Sequence, residues 1–556
     1  VRGGTEEPRV SDIGQTGRMT LHPSVSERLA RLTTDQRAAA TAPPGPVLCV
    51  APAGSGKTTT LVARIAWLVD GDCTPDAIAA ITFNTRAAVE LGERLDAALE
   101  PLGVEPGAVR VRTFHALGRE ILRDAGVDVA GLTDRAAVCH DLWPDLGDAD
   151  LARYDTAFSR LKLEFAVDAA DVDADPLAGP VARAFVEYEH ALAARGALDF
   201  DDLIRRALTL LGARPALLAS WRARCANLLV DEVQDVDRSQ LDLALLLAAP
   251  ANRIFLVGDD DQSIYGWRLA DVRRILSIGE RLPGLRRVDL EVNHRCPVPV
   301  VERAVRLIER NGERFPKVIR PRPDAEGRVI LAPDAADGPE RADRILRSWP
   351  DDGASRAFLA RTNRELQPAV VAAIRLGIPF RADRVPLLTD EPGLDALLVR
   401  IAAETDPSAP LLVRLGGMRA RTATPADAAL LEAVLAWAPP YPDLSSLVAA
   451  IAAVRARLAD LRRDDAALTM ATAHSTKGLE FDHVAVVGME EGRFPSGRSV
   501  AEADDPRRAM EEERRLGYVA WTRARRTLTL SYDPAVPSPF LLEAFSPEEL
   551  GLVPGA

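Results

Sequence analysis

The chain has 556 residues, 47% hydrophobic and 27% charged, which is the composition of a globular protein with room for about three or four domain-sized units. It has no run of about 18 apolar residues, which argues against a membrane-spanning helix, and a net charge of −13, which argues against a broadly basic surface. The five scattered cysteines (Cys49, Cys73, Cys139, Cys225, Cys296) form neither a disulfide framework nor a zinc site and fit a reducing, cytoplasmic setting.

Residues 1–20 are polar and Gly-containing and are expected to be a disordered leader. The first buried strand is read at Val47–Val50, and it runs directly into APAGSGKTTT, after which Leu61, Ile65 and Leu68 mark one face of a helix. A strand, a small-residue turn and then a helix is the arrangement that cradles phosphate. Backbone N–H groups of Ala53, Gly54, Ser55 and Gly56 close around oxygens, and the helix N-terminus adds a positive dipole. Lys57 then reaches the β- and γ-phosphates, the Thr58 hydroxyl binds Mg²⁺, and Thr59 completes the loop. Ala51 stands where such loops usually begin with Gly.

A second strand is read at Ala79–Phe83, and from 117 to 197 only helical periodicity appears. Phe158, Leu161 and Phe165 share one face there, and Phe185, Tyr188 and Leu192 another. Strands resume at Leu228–Val230 and Ile254–Val257. The former ends in Asp231-Glu232, an acidic pair placed to face the phosphate loop, with Asp231 on Mg²⁺ and Glu232 polarising the attacking water. Tyr265 and Trp267 follow the latter in a polar, Gly-containing segment, which suits exposed base stacking better than a core. Two further strands, Ala357–Leu359 and Val484–Val487, flank a second helical stretch at 391–465. There, Leu394, Leu397, Leu398 and Ile401 share a face, as do Leu447, Ile451 and Val454. The fold class expected is α/β with two parallel sheets, each interrupted by a helical insertion. The seven histidines form no metal-spaced cluster.

In order, LTTDQRAAA (Leu32–Ala40), ITFNTRAA (Ile81–Ala88), VRTFHALG (Val111–Gly118), LDFDDLI (Leu198–Ile204), VGDDDQSIYGWR (Val257–Arg268), NHRC (Asn293–Cys296), TAHSTKGLEF (Thr472–Phe481) and EERRLGYVAWTRA (Glu512–Ala524) resemble the motifs of the UvrD/Rep group of superfamily 1 helicases. The resemblance covers nearly all of 32–541 and implies two RecA-like P-loop domains. The first is expected at 21–116 and 198–285 with its insertion at 117–197, and the second at 286–390 and 466–545 with its insertion at 391–465. A tail follows at 546–556. It further implies that Gln36 reads adenine, Gln262 senses the γ-phosphate, Arg295 and Arg523 act as cationic fingers, and Glu480 lies near the ribose. Phe83, Arg86, His115, Tyr265, Trp267, Arg268, Thr472 and His474 are implied to contact the DNA strand. ATP and Mg²⁺ are the expected cofactors, and single-stranded DNA and its junctions with duplex the expected partners.

The chain departs from the family pattern at four places. His294 replaces a tyrosine that stacks on adenine, Asn84-Thr85-Arg86 replaces Thr-Asn-Lys, and Leu269 replaces a Gly. The second insertion, a sizeable mobile domain in the family, is cut to a few helices. The expected function is an ATP-dependent single-stranded DNA translocase and 3′→5′ helicase of repair or genome maintenance. The alternatives are a partner-dependent, ATP-gated DNA-binding subunit with little unwinding of its own, and an RNA-directed motor, which base stacking alone does not distinguish.

Overall fold

A computed structural model of the chain describes residues 21–552 apart from 166–178, 337, 383–384, 386 and 423. The expected leader and the end of the expected tail therefore lie outside the described residues, as does any statement about the side chain of Phe165. The chain divides into two compact units, 1–291 with 313–318 and 292–312 with 319–556.

The first unit is built on strands β1 (Val47–Val50), β2 (Ile78–Thr82), β3 (Arg110–Thr113), β4 (Asn227–Val230), β5 (Ile254–Gly258) and β6 (Arg286–Asp289). They form one parallel sheet in the order β3-β2-β4-β5-β1-β6. Apolar residues fill both faces of its central strands. Leu48 and Val50 of β1 point into one core, with Leu228, Val230 and Leu256, under the helices Phe114–Asp124, Asp202–Ala213 and Arg238–Ala248. Val47 and Cys49 point into the other, with Ala80, Leu229 and Phe255, under Lys57–Asp70 and Thr85–Leu99. Two-sided burial is why these strands read as unbroken apolar runs rather than alternating ones.

The helical insertion of this unit packs Val138, Phe158, Phe185, Tyr188 and Leu192 into a core of its own. It is tied to the sheet domain by charge. Lys162, with no exposed side-chain surface, sits 2.7 Å from Glu189, 2.9 Å from Asp199 and 3.1 Å from Asp202, and Arg135 pairs with Asp199 and Asp201. The acidic run after Leu198 is thus the clasp between insertion and sheet.

The second unit carries β7 (Val292–Asn293) and β8 (Arg320–Pro321), a small parallel pair, and a larger sheet. The latter comprises β9 (Arg328–Pro333), β10 (Arg356–Ala360), β11 (Phe380–Arg381), β12 (Leu468–Thr472), β13 (Phe481–Val486) and β14 (Ala524–Tyr532). All of its pairings are parallel, in the order β11-β12-β10-β13-β14-β9. Four helices between Leu394 and Leu461 form the second insertion around Leu397, Ile401, Leu415, Leu431, Val434 and Leu447. Among the described residues no helix is long and apolar enough to cross a membrane.

Two boundaries differ from the sequence reading. β6 pairs with β1, so the first unit continues through Glu291 rather than ending at 285. Residues 313–318 also belong to the first unit although they lie within the segment expected in the second. The described part of the expected tail is not loose, since Leu550 is buried and Glu549 pairs with Arg303.

Candidate functional site

In a parallel sheet the loops that leave the carboxyl ends of the strands gather along one edge. In the first unit β1 delivers the phosphate loop there, β4 the acidic pair, β5 the segment 259–268, β2 Phe83 and β3 His115. Sequence separations of up to about 200 residues are closed by this topology alone.

Gly54 and Gly56 adopt φ of 70° and 84°, the left-handed region that glycine enters without cost. A Cβ on Gly56 would lie 2.6 Å from Gln36 Nε2, so a side chain there would displace the Gln36 amide as well as strain the backbone. The helix Lys57–Asp70 begins without a side-chain cap, which leaves the N-terminal dipole to whatever anion the loop takes. The Ser55 hydroxyl is buried with no hydrogen-bond partner, as expected of a group shaped for a phosphate oxygen. Gln36 donates from Nε2 to the Ser55 carbonyl at 2.8 Å and accepts from the Thr33 N–H at 3.1 Å. It therefore both caps its own helix and buttresses the phosphate loop.

Lys57 Nζ lies 2.9 Å from Glu232 Oε1 and 3.1 Å from Oε2. Burial works against the ammonium, but Glu232, Asp231 and Asp259 outweigh it and hold its pKa above the ordinary lysine value. Glu232 occupies the left-handed region at φ 51°, a strained placement for a non-glycine residue. Gln234 donates to Glu232, and its Oε1 accepts from the Asp259 N–H at 3.0 Å, so the loops after β4 and β5 are stitched together. Gln262 Nε2 donates to Asp259 Oδ2 at 2.7 Å. Among the described residues no group of three or more His, Cys, Asp or Glu side chains is arranged as a metal cage. The donor set of Thr58 and Asp231 still fits Mg²⁺ arriving with a nucleotide, because that ion takes most of its ligands from water and phosphate.

Beside this lies an aromatic surface. Phe83 and Tyr265 stack with centroids 5.0 Å apart and planes 15° from parallel, and Tyr265 meets Trp267 edge-on at 6.2 Å. Trp267 is 60% exposed, with the Arg268 guanidinium 4.7 Å from its centroid. Arg86 is exposed in the first turn of the helix after Phe83. His115 stacks on Phe200 at 3.8 Å. Burial pushes its imidazole pKa down to about 4, so it is neutral at physiological pH. Phe200, 58% exposed, is not among the residues singled out in the sequence. Its signal was present, since it is a lone aromatic in the acidic run LDFDDL with no helical face to bury it.

In the second unit Thr472 ends β12 and His474 follows it, and burial with the Arg361 charge lowers the His474 pKa to about 4. Arg295 donates to Glu480 at 2.8 Å and to the Thr522 carbonyl at 3.3 Å. Arg523 is 1% exposed and donates to the carbonyls of Val519 at 2.9 Å and Leu479 at 3.1 Å. The unit thus gathers Arg295, Glu480 and Arg523 in one place, with the last held on backbone carbonyls. His294 is exposed.

A lysine-bearing phosphate loop and an acidic pair on one RecA-like sheet, followed in sequence by a second RecA-like unit, define a P-loop nucleoside triphosphatase. Residues 32–283 match the UvrD/REP helicase N-terminal domain and residues 437–534 the UvrD-like helicase C-terminal domain. The chain is 28% identical to DNA helicase II of Escherichia coli (strain K12) over 628 residues, covering 91% of this chain and 85% of that one. It is also 28% identical to ATP-dependent DNA helicase PcrA of Staphylococcus aureus (strain Mu50 / ATCC 700699) over 616 residues, covering 91% and 83%. The chain belongs to the UvrD/Rep family of ATP-dependent DNA helicases.

Proposed function

We propose that the chain is an ATP- and Mg²⁺-dependent single-stranded DNA translocase with 3′→5′ helicase activity, acting on single strands and their junctions with duplex in cytoplasmic DNA repair or genome maintenance. The observation that carries this reading is the shared sheet edge. The Lys57–Glu232 pair leaves the carboxyl ends of β1 and β4, and the Phe83–Tyr265–Trp267 surface leaves those of β2 and β5 in the same parallel sheet. A change at the nucleotide therefore has a short covalent route, through Gln262 to Tyr265, to the bases.

In this reading Ala53 to Thr59 hold the phosphates, and Lys57 leaves Glu232 to meet negative charge on the γ-phosphate. Glu232, freed of its ion pair, accepts the proton of the attacking water. Thr58 and Asp231 would hold Mg²⁺, which when bound supplies charge neutralisation on the phosphate oxygens. Gln262 senses the γ-phosphate, Gln36 and Glu480 recognise the nucleoside, and Arg295 and Arg523 contribute cationic charge. Phe83, Tyr265 and Trp267 stack bases, each worth about 1–3 kcal/mol, while Arg86, Arg268, His115, Thr472 and His474 contact the strand.

Unwinding of duplexes bearing a 3′ or a 5′ single-stranded tail, with ATP and Mg²⁺, tests the proposal. Separation that requires the 3′ tail is expected, and separation that requires a 5′ tail reverses the polarity. Strand-dependent ATP hydrolysis without separation from either tail would assign the chain to the partner-dependent reading, which the four-helix second insertion favours.

A further inference from the structure

Residues 313–318 return to the first unit and place two cations against the turn that carries Gln262. Asp259, Asp260 and Asp261 are successive and fully buried. Lys317, 1% exposed at its side chain, reaches all three, with Nζ 3.2 Å from Asp259 Oδ1, 2.8 Å from Asp261 Oδ2 and in contact with Asp260. Arg314 forks onto Asp261, with Nε donating to Oδ1 at 2.9 Å and Nη2 to Oδ2 at 2.8 Å. The Phe315 N–H donates to Asp260 Oδ2 at 2.8 Å.

Three adjacent carboxylates cannot stay ionised and buried without such partners, because each lost counter-charge leaves an uncompensated ion in a medium of low dielectric. The consequence passes directly to Gln262. Asp259 receives Lys317 on Oδ1 and Gln262 Nε2 on Oδ2, so the ammonium on one oxygen fixes the carboxylate that orients the amide on the other. The Asp259 N–H is bonded to Gln234, which in turn donates to Glu232. The segment 313–318 thus stands at the far end of a hydrogen-bonded chain whose near end is the Lys57–Glu232 pair.

We propose that Lys317 is a positioning residue for ATP hydrolysis, acting through Asp259 to set the side chain of Gln262, with Arg314 locking the same turn at Asp261. This rests on the reading of Gln262 as the γ-phosphate sensor. Nothing in the sequence around Lys317 announces the role, since its partners lie more than 50 positions earlier.

The test separates positioning from mere stability. Lys317→Met combined with Asp260→Asn removes one charge of each sign, which eases the electrostatic cost of the lysine's loss while leaving Asp259 without its ammonium. Single-strand-stimulated ATPase is measured for this pair, for Gln262→Ala, and for the triple variant, alongside thermal melting. The expected result is a kcat for the pair lower by on the order of 10–100-fold. KM for ATP stays within about threefold, and the melting temperature stays close to that of the parent. The triple variant should then turn over no more slowly than Gln262→Ala alone. A pair that melts normally and turns over within twofold of the parent overturns the proposal while leaving the Gln262 reading intact, and so does a triple variant whose losses multiply. Unchanged turnover in Gln262→Ala alone defeats the sensor reading and the positioning role with it. If the pair does not fold, Lys317→Arg decides. Retention of the charge is expected to keep kcat within about threefold, and a folded Lys317→Arg protein with the defect of Gln262→Ala overturns the charge-relay argument.

Discussion

Trp267→Ala probes the proposed strand contact with little disturbance of the fold. The indole is 60% exposed and touches Tyr265 only edge-on at 6.2 Å, so its removal leaves no core cavity and should change folding stability by no more than about 0.5 kcal/mol. The indole face carries the Arg268 guanidinium at 4.7 Å, a pairing that presents ring and cation together to a nucleotide. Loss of one base-stacking platform costs about 1–3 kcal/mol, and at about 1.4 kcal/mol per decade this is a roughly 5- to 140-fold rise in Kd for single-stranded DNA. Stacking releases no counterions, so plots of log Kd against log salt for parent and variant should run parallel, whereas Arg268→Ala should flatten the slope. Fluorescence anisotropy of a labelled oligothymidylate across a salt series measures both quantities. Affinity within twofold of the parent, or a change of slope in Trp267→Ala, would refute the assignment of Trp267 to a base.

Three further outcomes follow from other parts of the structure. Glu232→Gln keeps the shape beside Lys57 but removes the base, so kcat should fall by roughly 10²–10⁴ with ATP binding retained, and a loss below tenfold would move the base elsewhere. Lys162→Met leaves a cluster of buried carboxylates short of a cation and should destabilise the first insertion by about 3–5 kcal/mol, read as lost hydrogen-exchange protection across 135–165 and 180–194. A cost below 1 kcal/mol would contradict the clasp. Burial holds the pKa of His115 and of His474 down at about 4, below the unfolded value of about 6.5. The stability present above pH 6.5 is therefore lost progressively as pH falls toward 4, and His115→Asn, which cannot take the proton, should show a flatter melting-temperature profile over that window. Equal slopes for parent and variant would show that the imidazole is not held neutral.

The central strands with unbroken apolar runs were legible because both of their faces are buried. β1 begins and ends where its apolar run does, and β2, β4, β5 and β10 fall within a residue or so of theirs. The flanking strands of the two sheets, β3, β6, β9 and β11, were not legible, because one partner is lacking and sequences such as RVRT and RRVD stay half open to solvent; nor were β12 (LTMAT) and β14 (ARRTLTLSY) inside the second sheet, whose apolar runs are broken by Thr and Arg. β6 in particular moved the first boundary, because only its pairing with β1, over 230 residues away, gives it to the first sheet. The phosphate loop, the acidic pair and the exposed aromatics were legible as local patterns whose chemistry dictates their order. Gln234, Arg314 and Lys317 were not, since each gains its meaning from a contact made by the fold. The position of Arg523 on the carbonyls of Val519 and Leu479 was equally beyond a motif's reach.

In the proposed function, nucleotide turnover at Lys57 and Glu232 is governed by a strand on the neighbouring aromatic surface. This control is tested most directly by steady-state ATP hydrolysis without nucleic acid and with single-stranded DNA, duplex DNA or RNA, using Lys57→Ala as the reference for zero. Low basal turnover is expected, with strong stimulation by single-stranded DNA above the other two and none in Lys57→Ala. Hydrolysis indifferent to every nucleic acid would contradict that control.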